Sequence, residues 1–163
     1  MFLKNLKMLT VGLIGLASLN SSYAQEPSVL TLQVAETVIR GCVAHAVSNN
    51  QGVAVAVVDS SGSLISFVRM DGYPPGVGAF AIEKATAVAG WRFSTAQMEV
   101  AVQSTPGFAN APDIVTVAGG VPIYSNITGR FLGAIGVSGG APAEDAACAS
   151  AGIAAAELRE TSN

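Results

Sequence analysis

A few side chains in this sequence could hold a ligand, and their types differ in what they could do. His45 is the only histidine, and a neutral imidazole is a common ligand for transition metals. Arg69, Asp71 and Tyr73 stand close together in the run RMDGY. The guanidinium of Arg69 offers a bidentate fork to a carboxylate, and Tyr73 could stack on or ligate a flat ring. Structural roles compete with each of these: Arg69 paired with Asp71 or Glu83, and His45 hydrogen-bonded at a subunit interface. Lys84 could serve a second anionic group, or be solvated or interfacial.

Other motifs carry less chemistry than they suggest. The stretch GVSGG, Gly136 to Gly140, contains a serine between glycines. A serine nucleophile needs a base within hydrogen-bond reach, and nothing in the sequence places His45 beside Ser138. A phosphate loop needs a lysine and a hydroxyl after its second glycine, where this chain runs into Ala141-Pro142-Ala143. Glu144 and Asp145 would also repel an anion there. The glycines are therefore read as a tight turn from a strand into a helix beginning at Pro142, whose acidic first turn suits the helix dipole. The amides of Ser138 to Gly140 remain able to touch a ligand carboxylate. No carboxylate pair is spaced for acid–base catalysis.

Met1 to Ala24 reads as a secretory leader: Lys4 and Lys7, an apolar run from Met8 to Leu19, then Ser22-Tyr23-Ala24, with small residues at the two positions a signal peptidase reads. The mature domain is expected to run from about Gln25 to Asn163, exported to the periplasm or secreted. The apolar run is shorter than the ~20 residues of a spanning helix, so no membrane insertion is expected. Loss of Lys4 and Lys7 with the leader leaves six Lys+Arg against eleven Asp+Glu and moves the formal charge from -3 to -5. Such a surface gives nucleic acid no footprint. Charged residues are 12% of the chain, about half the usual share, which suggests surface buried in an oligomer. Cys42 and Cys148 form an even pair in an oxidising compartment, where a disulfide is expected rather than a zinc site.

The elements that must position these residues follow from periodicity. Val29 to Asn49 has Leu32, Ala35, Val38, Ile39, Cys42 and Ala46 at steps of three and four, which predicts a helix. Val53 to Val58 and Leu64 to Met70, around Asp59-Ser60-Ser61-Gly62, predict a hairpin. Gly72 to Gly78 reads as a loop and Ala79 to Gly90 as a helix. Ser94 and Gln97 form a capping box opening another helix to about Ser104. Short apolar stretches follow at Ile114 to Ala118 and Ile123 to Tyr124, then a strand from Phe131 to Val137 and a helix from Ala143 to about Glu160. Hairpin-joined strands with helices grouped between strand pairs predict a single α+β domain, an antiparallel sheet with flanking helices.

Four stretches taken together resemble the GlcG/HbpS family of haem-degrading or haem-binding domains, found also as the C-terminal domain of PduO-type proteins. They are VAVAVVDSSGSLISFVRMDG, AFAIEKATAVA, GGVPI and LGAIGVSGGAPAEDAACASAGIAAA, which span nearly all of the chain after the leader. The resemblance implies a profilin-like or PAS-like fold, symmetric homo-oligomers and, in characterised members, binding of haem or iron. In that light His45, with Val34, Val38 and Gly41 along the same flank of the first helix, could present an apolar strip with a gap and an imidazole to a haem face. Arg69, Asp71, Tyr73 and Lys84 then become candidates for the cofactor's periphery. The leading expectation is a non-enzymatic, exported haem-binding homo-oligomer. The alternative is an enzyme or binding protein for a small carboxylate such as a hydroxy acid, read by Arg69 and Lys84. A third reading is a structural partner of an exported complex, docking through the first helix.

Overall fold

The computed structural model describes residues 29–162. The leader expected over Met1 to Ala24, and the start of the mature chain, lie outside the described residues. The elements in order are α1 (Leu32–Ser48), β1 (Ala54–Asp59), β2 (Leu64–Arg69), α2 (Pro75–Trp91), α3 (Thr95–Ser104), a 3-10 turn (Pro106–Asn110), β3 (Gly120–Tyr124), β4 (Phe131–Ser138) and α4 (Pro142–Ala155). The four strands form one sheet in the order β2-β1-β4-β3, every neighbouring pair antiparallel. This is the α+β domain the sequence predicts.

The sheet separates two cores whose characters are written in β1. Its residues alternate by face, so Val53, Val55 and Val57 point towards α1 and α4, while Ala54, Ala56 and Val58 point towards α2. The valine side packs against Val38, Ile39, Cys42, Cys148 and Ile153. The alanine side admits α2 at short range: a Cβ on Gly136 of β4 would fall 2.0 Å from the Ala81 carbonyl oxygen. Small residues on the sheet and Ala81 and Ala85 on α2 therefore match as a pair of surfaces. Both central strands are buried almost throughout, where each valine side chain contributes roughly 1.5–3 kcal/mol.

α1 and α4 are held together covalently and by shape. Cys42 and Cys148 form a disulfide with Cα atoms 4.6 Å apart, closing a loop whose constraint on the unfolded chain is worth ~4–5 kcal/mol in the chain-entropy model. Beside it a Cβ on Gly41 would meet that of Ala155 at 2.5 Å. The gap expected at Gly41 is thus filled by α4, which also meets Val38 at Gly152, while Val34 stays half-buried beside a cavity lined by Leu30, Leu132 and Leu158.

Local differences from the sequence reading have local causes. α2 begins at Pro75, not Ala79, because proline at the first helical position suits a helix start; the run Gly72 to Gly78 is only partly a loop. Ile114 to Ala118 forms no strand, and β3 starts at Gly120. α4 ends at Ala155 because Glu157 takes a positive φ of 56°. No helix among the described residues is long and apolar enough to cross a membrane.

Candidate functional site

The antiparallel registers bring most of the candidate residues to one end of the sheet. Ala54 at the start of β1 lies opposite both Arg69 at the end of β2 and Ser138 at the end of β4. α1 delivers its C-terminus to the same end, since residues 49–53 lead directly into β1.

His45 sits in the last turn of α1, half-buried. Its backbone carbonyl accepts from the side chain and the amide of Asn49, closing the helix. Its imidazole makes no hydrogen bond among the described residues. Nearby, Tyr73 accepts a hydrogen bond on its hydroxyl from the Gly52 amide at 3.1 Å. Its ring lies so close over Gly52 that a Cβ there would overlap it. The guanidinium of Arg69 donates to the Tyr73 carbonyl, which clasps the loop after β2. Neither Asp71 nor Glu83 pairs with Arg69 among the described residues. Arg69 and Asp71 are exposed.

Lys84 has a different fate. It is fully buried on α2, covered by the Phe80 ring 4.8 Å from its Nζ. Nζ donates to the Ala118 carbonyl at 2.7 Å, the Val137 carbonyl at 2.8 Å and Asp145 Oδ2 at 2.9 Å. Three acceptors match the three N–H donors of an ammonium, so the geometry is that of Lys84 charged and Asp145 ionised. Asp145 Oδ1 accepts from the Gly140 amide at 2.9 Å, and Glu144 accepts from the Ala141 amide. Burial opposes both charges, pushing the Lys84 amine down from its ordinary range and the Asp145 carboxyl up; each is offset by the other, and Asp145 also by the Gly140 hydrogen bond. Gly119, with φ 125°, is required beside the ammonium, for a Cβ there would lie 2.7 Å from Nζ.

Lys84 is therefore neither solvated nor at the helix surface. The seat that Lys84 and the Gly140 amide offer to a carboxylate holds the chain's own Asp145, which an incoming anion would have to displace. Asp145 is the residue that the sequence reading assigned only to the helix dipole. The signal for the pair lay in α2, where Lys84 occupies the same helical face as Ala81, Ala85 and Val88, a position that calls for a buried partner. Ser138 ends β4 at the turn into α4, with Gly139 at φ 141°, as the turn reading expects. Among the described residues no three His, Cys, Asp or Glu side chains cluster as a metal site.

The chain matches the family model described as haem degrading protein, HbpS-like, over residues 30–154. It is 35% identical to Protein GlcG of Escherichia coli K12 over 111 residues, which cover 68% of this chain and 81% of that one. Among solved structures, a double mutant of HbpS from Streptomyces reticuli superposes with a TM-score of 0.71 at 28% identity, over 91% of this chain and 97% of the other. The PduOC:heme complex superposes at 0.73 with 23% identity, over 82% and 99%, a likeness of fold.

Proposed function

This chain belongs to the HbpS-like family of haem-degrading proteins, and from that premise we propose that it is an exported, homo-oligomeric haem-binding protein that sequesters, buffers or senses haem or its iron. The observation that carries this reading is His45: a half-buried imidazole at a helix end, with no hydrogen-bond partner among the described residues. A neutral imidazole of this kind suits haem iron. Arg69, exposed at the end of β2, would pair with a propionate through its guanidinium fork. Asp71 and Tyr73 flank that position, Tyr73 as the clasp that holds the loop against Gly52.

The donor set fits haem at its edge and on one face. The gap at Gly41 is closed by α4, so the macrocycle would lie at the His45 end of α1, with Arg69 reaching it from the β2 side. Bound haem would supply redox and oxygen chemistry; the residues named here bind and orient it. Lys84 and Asp145 serve this site by fixing the β4–α4 turn to α2. Export is supported by the disulfide, which persists in oxidising compartments. The test is an absorbance titration of leader-free protein with haemin. A saturable Soret shift, lost or weakened in His45→Ala, is expected; no shift at any haemin ratio would overturn the proposal.

A further inference from the structure

The sheet has two edges, and they are finished differently. Along β3 the backbone groups of Gly120, Pro122 and Tyr124 point outward, because Val137 donates inward to the Gly119 carbonyl and the pairing alternates from there. Each is dealt with. The Gly120 amide donates to Thr95 Oγ1 at 2.9 Å, Pro122 has no N–H, and Tyr124 exchanges two backbone hydrogen bonds with Arg159 in the C-terminal tail. That edge is closed to another strand.

The β2 edge has no such cover. Met70 donates inward to the Val53 carbonyl, so in the alternating register Val68 and Ser66 face β1 while Phe67 and Arg69 turn their backbone groups outward. Among the described residues nothing donates to or accepts from those outward groups. The strand is L-I-S-F-V-R, with one charge at its end, and Leu64 and Phe67 are 49% and 41% exposed. Solitary domains blunt such an edge with charges, proline or a bulge that twists it away. The bulge here lies before Phe67, between Val57 and Val58 of β1, and leaves the Phe67–Arg69 half in unbroken register with β1.

We infer that β2 is the surface through which two copies of this chain associate, by antiparallel β2–β2′ pairing centred on Phe67. The occupant follows from the closed β3 edge. A β2 edge cannot add to β3 of a neighbour, so head-to-tail growth is blocked, and the edge left to satisfy β2 is another β2. Two identical antiparallel strands satisfy each other about a two-fold axis and close at the dimer. Centring on Phe67 places the two exposed rings opposite each other and the two Arg69 side chains at opposite ends of the ribbon, so like charges do not meet. This inference rests on the homo-oligomeric part of the proposal above and is independent of haem.

The test is crosslinking together with solution mass. Directly opposed residues exchanging hydrogen bonds have Cα atoms about 5.5 Å apart, within the range a disulfide spans. Both native cysteines are already joined, so Phe67→Cys introduces the single free thiol. Oxidation is expected to give a covalent dimer in high yield, whereas Val100→Cys, more exposed but on α3, gives little. Phe67→Lys, if folded, is expected to halve the mass of the smallest stable assembly seen by light scattering. A wild-type mass of one chain would overturn both this inference and the homo-oligomer. A larger wild-type mass with no preferential crosslink at Phe67→Cys would overturn the β2 surface alone.

Discussion

Lys84 on α2 and Arg69 at the end of β2 are cations in neighbouring layers of the fold, and the fold uses them in opposite ways. Lys84 is enclosed, with every donor matched: two strand or loop carbonyls and the Asp145 carboxylate within 2.9 Å. Arg69 is exposed, holding the Tyr73 carbonyl with one nitrogen and presenting the rest of its fork to solvent. A charge that is buried and fully paired gives a site rigidity, but it has nothing left to offer a ligand. A charge at a loop edge contributes little to stability and remains available. The difference divides the residues that build the site from those that would touch haem.

The division is tested most severely where the frame is strongest. Breaking the bridge with Cys42→Ala and Cys148→Ala together is expected to cost ~4–5 kcal/mol, read as a fall in the urea midpoint, and to loosen the α1–α4 pair that carries His45. Lys84→Met leaves Asp145 buried without its partner and is expected to cost ~3–5 kcal/mol. Adding Asp145→Leu should restore part of that, the remainder reflecting the Ala118 and Val137 carbonyls and the Gly140 amide left unpaired at ~1 kcal/mol each. If Lys84→Met were as stable as wild type, the buried pair would not be the frame described here. At the other pole, Arg69→Ala is expected to move stability by no more than ~0.5 kcal/mol while weakening haemin binding measurably.

The smallest effect concerns Asp59, at the hairpin tip beyond both regions. The Ser61 hydroxyl, helped by the amides of Ser63, Ser61 and Gly62 against a small burial penalty, holds its carboxyl below the ordinary 3.8. A depressed carboxyl contributes stability above the unfolded value and loses it as pH falls through the folded one. Asp59→Asn should therefore flatten the stability profile below about pH 4, in the range set by that value, and leave haemin binding unchanged.

Much of this was legible in the sequence where the information is local. The α1 face, the Ser94–Gln97 capping box and the β1–β2 hairpin rest on spacing of four residues or fewer, and each is present, save that Leu32, expected on the α1 face, is exposed in the first turn. Composition misled where glycine and proline have two meanings: Pro74-Pro75 in a glycine-rich run reads as loop, but the second proline starts α2. The disulfide was readable because two cysteines allow one pairing. The Lys84–Asp145 contact joins residues 61 positions apart, and only the fold brings them together. Its trace in the sequence is a lysine on an alanine and valine face, which says that a partner exists without saying which. His45, Arg69, Asp71 and Tyr73 were named by type; the β1–β2 register sets Arg69 opposite Ala54, and Tyr73 closes over Gly52 in the segment that leads from α1 into β1.

The most direct measurement is a haemin titration followed at the Soret band on wild type, His45→Ala and Lys84→Met, each shown to be folded by circular dichroism. Binding that is saturable in wild type and Lys84→Met but lost or weakened in His45→Ala is the expected result. Binding retained by His45→Ala and abolished in folded Lys84→Met would contradict it, and would move the ligand site from the end of α1 to the buried pair beneath β4.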